Sequence, residues 1–209
     1  MKDLIRNYKD KLKEIRSRLS DFKEVYRKGD KDVFAELCFC ILTPQSKAIL
    51  CDKALKELQK TDTLFKGSKK DIRFCLKGVR FPNNKARYLI LAREFFSNGN
   101  GPDVKSKIDT KDLSGTREWL VKNVKGLGYK EASHFLRNIG FGKDLAILDR
   151  HILKNLKRYG IIKKIPEALS RRQYIDIEEK MKRFFKPMNI SMEEIDLLFW
   201  SMETGMVFK

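Results

Sequence analysis

Apolar residues recur at three- and four-residue spacing along most of the chain, and this periodicity limits the possible folds more than any other feature. The first series consists of Leu4, Tyr8, Leu12, Ile15, Leu19, Phe22 and Tyr26. A period near 3.6 residues places such side chains along one face of an α-helix. No segment alternates apolar and polar residues for long enough to predict a β-sheet. The sequence therefore predicts an all-α fold.

The helix boundaries follow from the same periodicity and from capping residues. Asp32 is predicted to cap the helix that contains the apolar run 34–42, which should be buried on nearly all sides. We expect Thr43 and Pro44 to cap and open the next helix. Gly205 should end the last helix, because glycine is the usual residue after a helical C-terminus. Further helices are predicted at 49–58, 64–65, 72–76, 85–96, 116–124, 129–139, 149–159, 170–185 and 191–202.

The net charge is strongly positive. The 209 residues include 46 Lys and Arg against 28 Asp and Glu, a formal net charge of +18. A lysine-rich thermophile surface would also carry many acidic residues, so the one-sided excess favours nucleic acid as a partner. Basic residues are spread along the chain instead of forming one amphipathic segment, which disfavours a membrane surface. Since no apolar run could span a membrane and no signal peptide precedes the first helix, we expect a cytoplasmic, nucleoid-associated protein.

The cysteines do not form a metal-binding pattern. The four residues are Cys38, Cys40, Cys51 and Cys75. Their spacing fits neither a zinc ribbon nor an iron–sulfur sequence, and both histidines are distant in sequence. In a reducing compartment, disulfides are also disfavoured. We interpret the cysteines as small buried hydrophobic residues and predict no metal site and no cofactor.

The segment 124–132 reads V-K-G-L-G-Y-K-E-A and separates two predicted helices. Gly126 and Gly128 can turn the backbone tightly and leave their amide N–H groups bare, an arrangement that suits a phosphate. The N-terminus of the second helix would add a positive dipole at the same place. The alternative is a simple helical corner that uses glycine for its conformation. The neighbouring Lys122 and Lys125 favour phosphate binding.

Two residues, one in this segment and one shortly after it in sequence, are candidate catalytic residues. Lys130 lies in the first turn of the second helix, and Asp149 opens a later helix after an apolar segment. A nucleophilic lysine must be neutral, and both the helix N-terminus and nearby cations disfavour the charged form. A carboxylate could stabilise positive charge on a sugar or move a proton. The alternatives are a solvated surface lysine and an ordinary helix N-cap. His134 and His151 are interpreted as structural.

The hairpin and the following L-D-R-H sequence resemble the endonuclease III superfamily of DNA glycosylases. Within it, the chain is most similar to the second family of 8-oxoguanine DNA glycosylase/lyases, found mainly in archaea and some thermophilic bacteria. Lys125 stands where the superfamily usually has proline. The segments that carry the resemblance are 36–43 (E-L-C-F-C-I-L-T), 128–138 (G-Y-K-E-A-S-H-F-L-R-N), 149–153 (D-R-H-I-L), 169–174 (L-S-R-R-Q-Y) and 200–209 (W-S-M-E-T-G-M-V-F-K).

The resemblance implies a two-lobed helix-hairpin-helix glycosylase fold with the active site in the cleft between the lobes. The whole chain, 1–209, would be one glycosylase unit. A helical barrel lobe would comprise 31–128, and the second lobe 1–30 with 129–209. The helix-hairpin-helix itself would span 117–139. The required C-terminal cysteines of the superfamily's iron–sulfur cluster are missing from this sequence.

The resemblance also implies a bifunctional repair enzyme that acts, as a monomer, on double-stranded DNA containing oxidised guanine. Lys130 would attack the anomeric carbon of an extruded 8-oxoguanosine and form a Schiff base, after which β-elimination nicks the strand. Asp149 would assist both lysine activation and the cationic transition state. Extrusion is required because neither group could reach the sugar inside a stacked duplex. The alternatives are a glycosylase/lyase for oxidised pyrimidines and a non-catalytic helix-hairpin-helix DNA-binding module.

By the same resemblance, the lesion base would be held by Phe81, Trp200 and the terminal carboxylate of Lys209. The two aromatic rings would stack on the base and the carboxylate would accept hydrogen bonds from its edge. Asp196 would point into the same pocket or remain solvated, and core packing is the alternative for the aromatic residues. Gln45 would fill the space that the base vacates, unless it is an ordinary exposed residue in a first helical turn. The predicted DNA-binding residues are Gln45, Lys125, Gly126, Leu127 and Gly128.

Overall fold

A computed structural model describes residues 2–209, and within them it contains eleven α-helices and two short 3-10 helices, at Lys105–Lys107 and Lys186–Met188. The β-structure in this range is one isolated bridge between Ser97 and Pro102. No helix in this range is long and apolar enough to cross a membrane. The predicted all-α fold is confirmed. The helices are α1 Lys2–Lys28, α2 Asp30–Leu42, α3 Ala48–Lys60, α4 Thr63–Lys66, α5 Lys69–Cys75, α6 Pro82–Phe95, α7 Leu113–Asn123, α8 Tyr129–Asn138, α9 Arg150–Arg158, α10 Arg171–Phe185 and α11 Met192–Thr204.

The helices form two compact units. The terminal unit comprises residues 2–24 and 136–209, and the central unit comprises residues 25–135. The chain passes from one unit to the other inside α1 and again inside α8. The helix-hairpin-helix segment therefore lies almost wholly in the central unit, and α8 continues from it into the terminal unit.

Helix α2 forms the centre of the central unit. Every residue from 33 to 42 is buried, as the continuous apolar run predicts, and α2 packs against α3 and α6. The predicted cap is wrong: Gly29 occupies the N-cap position, and Asp32 lies in the first turn of α2. Asp30 is used differently, since its Oδ1 accepts hydrogen bonds from the backbone N–H groups of Val104 and Lys105 at 2.7 and 2.8 Å. The helix thereby begins with a side chain that holds a distant loop.

The connection between α2 and α3 also differs from the prediction. Thr43 follows the end of α2 and its hydroxyl donates to the Cys40 carbonyl at 2.9 Å, so it does not cap α3. Pro44 lies in a turn closed by the Ser46 N–H, which donates to the Thr43 carbonyl at 2.9 Å. Proline at the second position of such a turn is favoured because its φ is fixed. This turn, 43–46, separates the two helices.

The terminal unit is built around α9, α10 and α11. Helix α11 contacts both α9 and α10, and aromatic rings fill the space between them. The rings of Tyr159 and Phe199 stack at 5.7 Å between centroids, and Phe185 meets Phe199 edge-on at 6.0 Å. Gly205 ends α11 with a φ of 83°, as predicted. This packing fixes the helix that carries Trp200.

Candidate functional site

The hairpin between α7 and α8 is a tight turn that depends on Gly126. The Leu127 N–H donates to the Val124 carbonyl at 3.3 Å and closes the turn. Gly126 has a φ of 96°, in the left-handed region, and a Cβ atom there would lie 2.8 Å from the Tyr88 ring. Two independent constraints, backbone conformation and close packing, therefore require glycine at this position.

Gly128 has a different role from the one predicted. Its φ lies outside the left-handed region, and its N–H donates to Glu131 Oε2 at 3.2 Å. The expectation that both glycine amides are bare is therefore wrong for Gly128. A glutamate at the third position of a helix commonly accepts a hydrogen bond from the residue just before the helix, and its negative charge is favourable at a helix N-terminus. Glu131 thus stands where a phosphate oxygen would approach this amide.

Lys130 is the second residue of α8 and follows the hairpin directly. Its side chain is 24% exposed, and its Nζ lies 3.7 Å from Glu131 Oε1. The two Glu131 oxygens therefore face the hairpin amide and the lysine amine respectively. Lys125 is exposed, whereas Leu127 is buried beneath the turn. The amine is accessible from solvent but held close to the hairpin.

Buried polar residues fix α8 against α7. The Tyr129 hydroxyl donates to a Glu118 carboxylate oxygen, and the Arg117 guanidinium lies 5.6 Å from the Tyr129 ring centre. Arg117 is 1% exposed and its NH1 donates to Ser133 Oγ at 3.2 Å. A buried guanidinium is costly unless it is bonded. This cluster therefore sets the direction in which α8 leaves the hairpin.

Asp149 is the N-cap of α9, which confirms that part of the sequence interpretation. Its Oδ1 accepts a hydrogen bond from the Ile152 N–H at 2.8 Å, and the residue is half-buried. Capping holds the carboxylate in a fixed position at the start of α9. The capping role is compatible with a chemical one, because a carboxylate has four lone-pair positions.

The irregular segment that leads to Asp149 is held by two residues of α10. Residues 145–148 are buried, so their backbone polar groups need partners within the protein. The Ala146 N–H donates to Glu178 Oε2 at 2.7 Å. The Tyr174 hydroxyl donates to the Ala146 carbonyl at 2.7 Å and accepts from the Leu148 N–H at 3.2 Å. Tyr174 and Glu178 thereby fix the position of Asp149 at the start of α9.

Two predicted DNA-contacting residues of the central unit have left-handed backbones and exposed side chains. Gln45 has a φ of 56° in the turn before α3, so the interpretation as a first-helical-turn residue is wrong. Phe81 has a φ of 57° at the N-cap of α6, is 49% exposed, and lies 5.3 Å from the Arg80 guanidinium. The core-packing alternative for Phe81 is therefore also wrong. An exposed aromatic ring on a basic surface suits stacking on a nucleobase.

The predicted base-recognition residues of the terminal unit lie on α11 and after it. Trp200 is half-buried, and its ring lies 6.0 Å from the Phe208 ring, tilted by 30°. Lys209 is half-buried as well. Asp196 is 4% exposed and its Oδ2 forms an ion pair with Arg137 NH2 at 3.1 Å. This pair joins α8 to α11, so the solvated alternative for Asp196 is wrong.

The cysteines are free thiols and differ in burial. Cys38, Cys40 and Cys51 are buried, and Cys75 is half-buried. Cys51 Sγ donates to the Leu42 carbonyl at 3.1 Å, and burial raises the pKa of this thiol to about 11. Within residues 2–209 no group of three or more His, Cys, Asp or Glu side chains could hold a metal ion. His134 packs edge-on against Phe39 at 5.7 Å.

Comparison with known proteins identifies the family. A family model described as 8-oxoguanine DNA glycosylase matches residues 15–190. The chain is 44% identical to the 8-oxoguanine DNA glycosylase/AP lyase of Fusobacterium nucleatum, over 97% of this chain and 94% of that protein. The chain belongs to the 8-oxoguanine DNA glycosylase family. The protein of the same name from Methanocaldococcus jannaschii is 40% identical over 93% of this chain and 91% of its own length.

Solved structures of family members match over the full chain. The crystal structure of the M. jannaschii 8-oxoguanine DNA glycosylase gives a TM-score of 0.87 at 37% identity and covers 100% of this chain and 97% of that one. The glycosylase/lyase of that organism in complex with a 15mer DNA containing 8-oxoguanine also gives 0.87, at 37% identity, with 99% coverage of both chains. The helix-hairpin-helix fold expected from the sequence is therefore confirmed.

Several residues that shape the site were not predicted from the sequence. Glu131 carries a signal that could have revealed it, because it follows the hairpin glycine by the spacing typical of helix capping. Arg117 carries none, since an arginine is normally exposed and this one is buried. The same holds for Tyr174 and Glu178, whose backbone partners lie far away in sequence. Burial of polar side chains separates these residues from ordinary surface charges.

Proposed function

We propose that this chain removes 8-oxoguanine from double-stranded DNA and then cleaves the strand at the resulting abasic site. Membership of the 8-oxoguanine DNA glycosylase family supports the proposal. The observation that carries it is the location of Lys130, held at the start of α8 directly after the hairpin turn. A backbone phosphate bound at that turn would bring the neighbouring sugar within reach of the lysine.

The nucleophile in this mechanism is the neutral amine of Lys130. Its Nζ attacks the C1′ atom of the extruded nucleotide, the C1′–N9 bond breaks, and the base leaves with the bonding electron pair and is protonated. Loss of the amine proton and opening of the sugar give a Schiff base between Nζ and C1′. Removal of a proton from C2′ then expels the 3′ phosphate by β-elimination. The covalent enzyme–DNA intermediate divides one difficult reaction into easier steps.

Asp149 would act as the assisting carboxylate. Its position at the N-cap of α9 fixes one oxygen through the Ile152 N–H. A carboxylate held in this way can stabilise cationic character on the sugar and accept a proton from the lysine ammonium. Tyr174 and Glu178 would support this role indirectly, because they fix the segment before Asp149.

Base recognition and DNA binding are assigned to separate groups. Phe81 and Trp200 would stack on the extruded base, and the Lys209 carboxylate would accept hydrogen bonds from its edge. Asp196 would act by holding α11 through Arg137 rather than by contacting the base, since both partners are buried. The predicted backbone-binding residues are Lys125, Gly126, Leu127 and Gly128, with Gln45 filling the vacated space in the duplex.

Borohydride trapping tests the assignment of the nucleophile. We expect the wild-type protein to form a covalent adduct with a duplex containing 8-oxoguanine. Lys130→Gln should reduce trapping by at least about a thousandfold, as removal of a covalent nucleophile does, and should retain duplex binding. Lys60→Gln, which removes an exposed charge at the end of α3, serves as the control. Persistent trapping by the Lys130 variant would show that another amine is the nucleophile.

A further inference from the structure

Lys85 is a buried lysine whose ammonium group is fully bonded to uncharged oxygens. The residue is 3% exposed. Its Nζ donates to the Leu42 carbonyl at 2.6 Å, the Pro44 carbonyl at 2.8 Å and Ser46 Oγ at 2.8 Å. Three acceptors satisfy the three donors of an ammonium group. Helix α6 thereby reaches across to the turn that carries Gln45.

Burying this charge is energetically unfavourable. Burial lowers the pKa of Lys85, and the positive charges of Arg80 and Lys130 also contribute to the lowering. A buried ammonium is expensive to desolvate even when it is hydrogen-bonded. A surface turn could be stabilised more simply by an apolar side chain. The use of a buried lysine therefore indicates that the backbone geometry of the turn 43–46 is important for function.

Ser46 extends the same network to a second loop. Its Oγ accepts a hydrogen bond from the Arg80 backbone N–H at 3.0 Å, in addition to the bond from Lys85. Arg80 is followed by Phe81, the N-cap of α6. One hydroxyl group and one ammonium group therefore join the turn before α3 to the turn before α6.

Both joined turns contain a residue in a backbone conformation that its type disfavours. Among the described residues, four non-glycine residues have positive φ: Gln45, Asp62, Phe81 and Asn189. Aspartate and asparagine tolerate the left-handed region, whereas glutamine and phenylalanine do so much less readily. Phe81 also precedes Pro82, which restricts its backbone further. Such conformations persist only where the surroundings enforce them, and they cluster at functional sites.

We propose that Lys85 is a positioning residue that, together with Ser46, holds Gln45 and Phe81 in the conformations in which they engage DNA around an extruded base. The effect of Lys85 on catalysis rests on the proposed function, whereas its structural role in the two turns does not. The side chains of Gln45 and Phe81 are exposed. The Lys85 ammonium bonds to the residues on either side of Gln45, and Ser46 passes the connection on to Arg80, the residue before Phe81. Because Lys85 is buried, it would act through these two turns and not by contacting DNA.

Hydrogen exchange tests the structural part of the proposal without requiring activity. We compare wild type, Lys85→Met and Ser46→Ala, with Lys60→Met as the control that removes one exposed charge. The Ser46 N–H closes the turn 43–46, and the Arg80 N–H donates to Ser46 Oγ. Both amides should exchange at least about tenfold faster in Lys85→Met, because local opening becomes easier. Unchanged exchange at both amides would overturn the proposal.

Single-turnover excision tests the functional part. At saturating enzyme on an 8-oxoguanine duplex, Lys85→Met should be about tenfold slower, since small misplacements of positioning groups reduce rates strongly. Binding to undamaged duplex should match Lys60→Met, and thermal unfolding of Lys85→Met should remain a single cooperative transition. An excision rate equal to that of the control would overturn the proposal. If Lys85→Met does not fold, the same comparison applies to Ser46→Ala, with a smaller loss expected.

A double-mutant cycle separates positioning from a general structural effect. When Gln45 and Phe81 are both replaced by alanine, Lys85→Met should cause less than about a threefold further loss, because the residues act through one another. A full tenfold further loss in that background would overturn the positioning role. If wild type and the Lys60 control both fail to excise 8-oxoguanine, the proposed function is wrong, and hydrogen exchange alone decides whether Lys85 holds the two turns.

Discussion

Gly126 and Gly128 belong to the same sequence motif but are required for different reasons. Gly126 needs both a left-handed backbone and the absence of a side chain beside the Tyr88 ring. Gly128 has an ordinary backbone, and a Cβ atom there would meet Glu131 Oε2 at 3.2 Å, the end of a flexible side chain. The hairpin should therefore tolerate a methyl group at the second glycine much better than at the first.

Alanine substitution of each glycine measures this difference. Gly126→Ala should weaken duplex binding by about tenfold or more, because a left-handed alanine costs roughly 1–2 kcal/mol and the Tyr88 ring must also move. Gly128→Ala should change the Kd by less than about threefold. Fluorescence anisotropy with an undamaged duplex at fixed salt gives both values. Equal losses for the two variants would contradict the distinction.

Helices α1 and α11 are linked by a tyrosine–carboxylate hydrogen bond within the terminal unit. The Tyr8 hydroxyl donates to Glu194 Oε1 at 2.9 Å. Burial and the Glu194 carboxylate raise the pKa of Tyr8 to about 12. The folded state therefore favours the protonated phenol more than the unfolded chain does, whose tyrosine titrates near pH 10. This contribution to stability is fully present below about pH 10 and is lost as the pH rises through about 12.

Tyr8→Phe tests this pH dependence. At pH 8 the variant should be less stable by about 1 kcal/mol, the usual net value of one hydrogen bond. Between about pH 10 and 12 the wild-type melting temperature should fall more steeply, so that the two proteins converge. Thermal unfolding followed by circular dichroism at several pH values gives the comparison. Parallel curves across this range would exclude the linkage.

Gly140, which follows α8, allows close packing of the chain against α1. It has a φ of 91°, and a Cβ atom would lie 2.9 Å from the Lys23 Cα. Gly160, which follows α9, also has a positive φ, of 74°, but its Cβ would meet nothing within 4 Å. Both glycines lie in the terminal unit. The pair therefore separates backbone strain from steric overlap.

We expect Gly160→Ala to destabilise the protein by about 1 kcal/mol, the cost of a left-handed alanine. Gly140→Ala should cost about 2–4 kcal/mol, because the same strain is combined with overpacking against a backbone atom. The corresponding decreases in melting temperature should be clearly distinguishable at roughly 2–4 °C per kcal/mol. A Gly140 variant as stable as the Gly160 variant would show that α1 moves away without cost.

The helices could be predicted from the sequence, whereas several connections between them could not. Period-3.6 patterning gave α3, α6 and α10 to within a few residues at each end. The turn 43–46 was mispredicted because Pro44 suits both a first helical turn and a β-turn. The support of Asp149 by Tyr174 and Glu178 could not be foreseen, since hydrogen bonds between distant residues leave no local pattern. The proposed site residues rest on family resemblance more than on residue spacing.

At the scale of the whole molecule, the charge and the family membership point to the same partner. A net charge of +18 on 209 residues favours rapid and salt-sensitive association with DNA of any sequence. Such binding cannot by itself select one damaged base. Under the proposed function, selectivity would come from extrusion of the damaged base and from its proposed contacts with Phe81, Trp200 and Lys209. The decisive property is therefore lesion-specific excision, not affinity.

Strand cleavage of one defined duplex shows directly whether this chain excises 8-oxoguanine. The same oligonucleotide pair is prepared with 8-oxoguanine, guanine or an oxidised pyrimidine at a single position, and released base and nicked strand are both quantified. We predict release of free 8-oxoguanine and a nick at that position, with no reaction at guanine and much slower reaction at the oxidised pyrimidine. Preferential cleavage at the oxidised pyrimidine, or salt-sensitive binding without cleavage of any duplex, would show that the chain is not an 8-oxoguanine glycosylase/lyase.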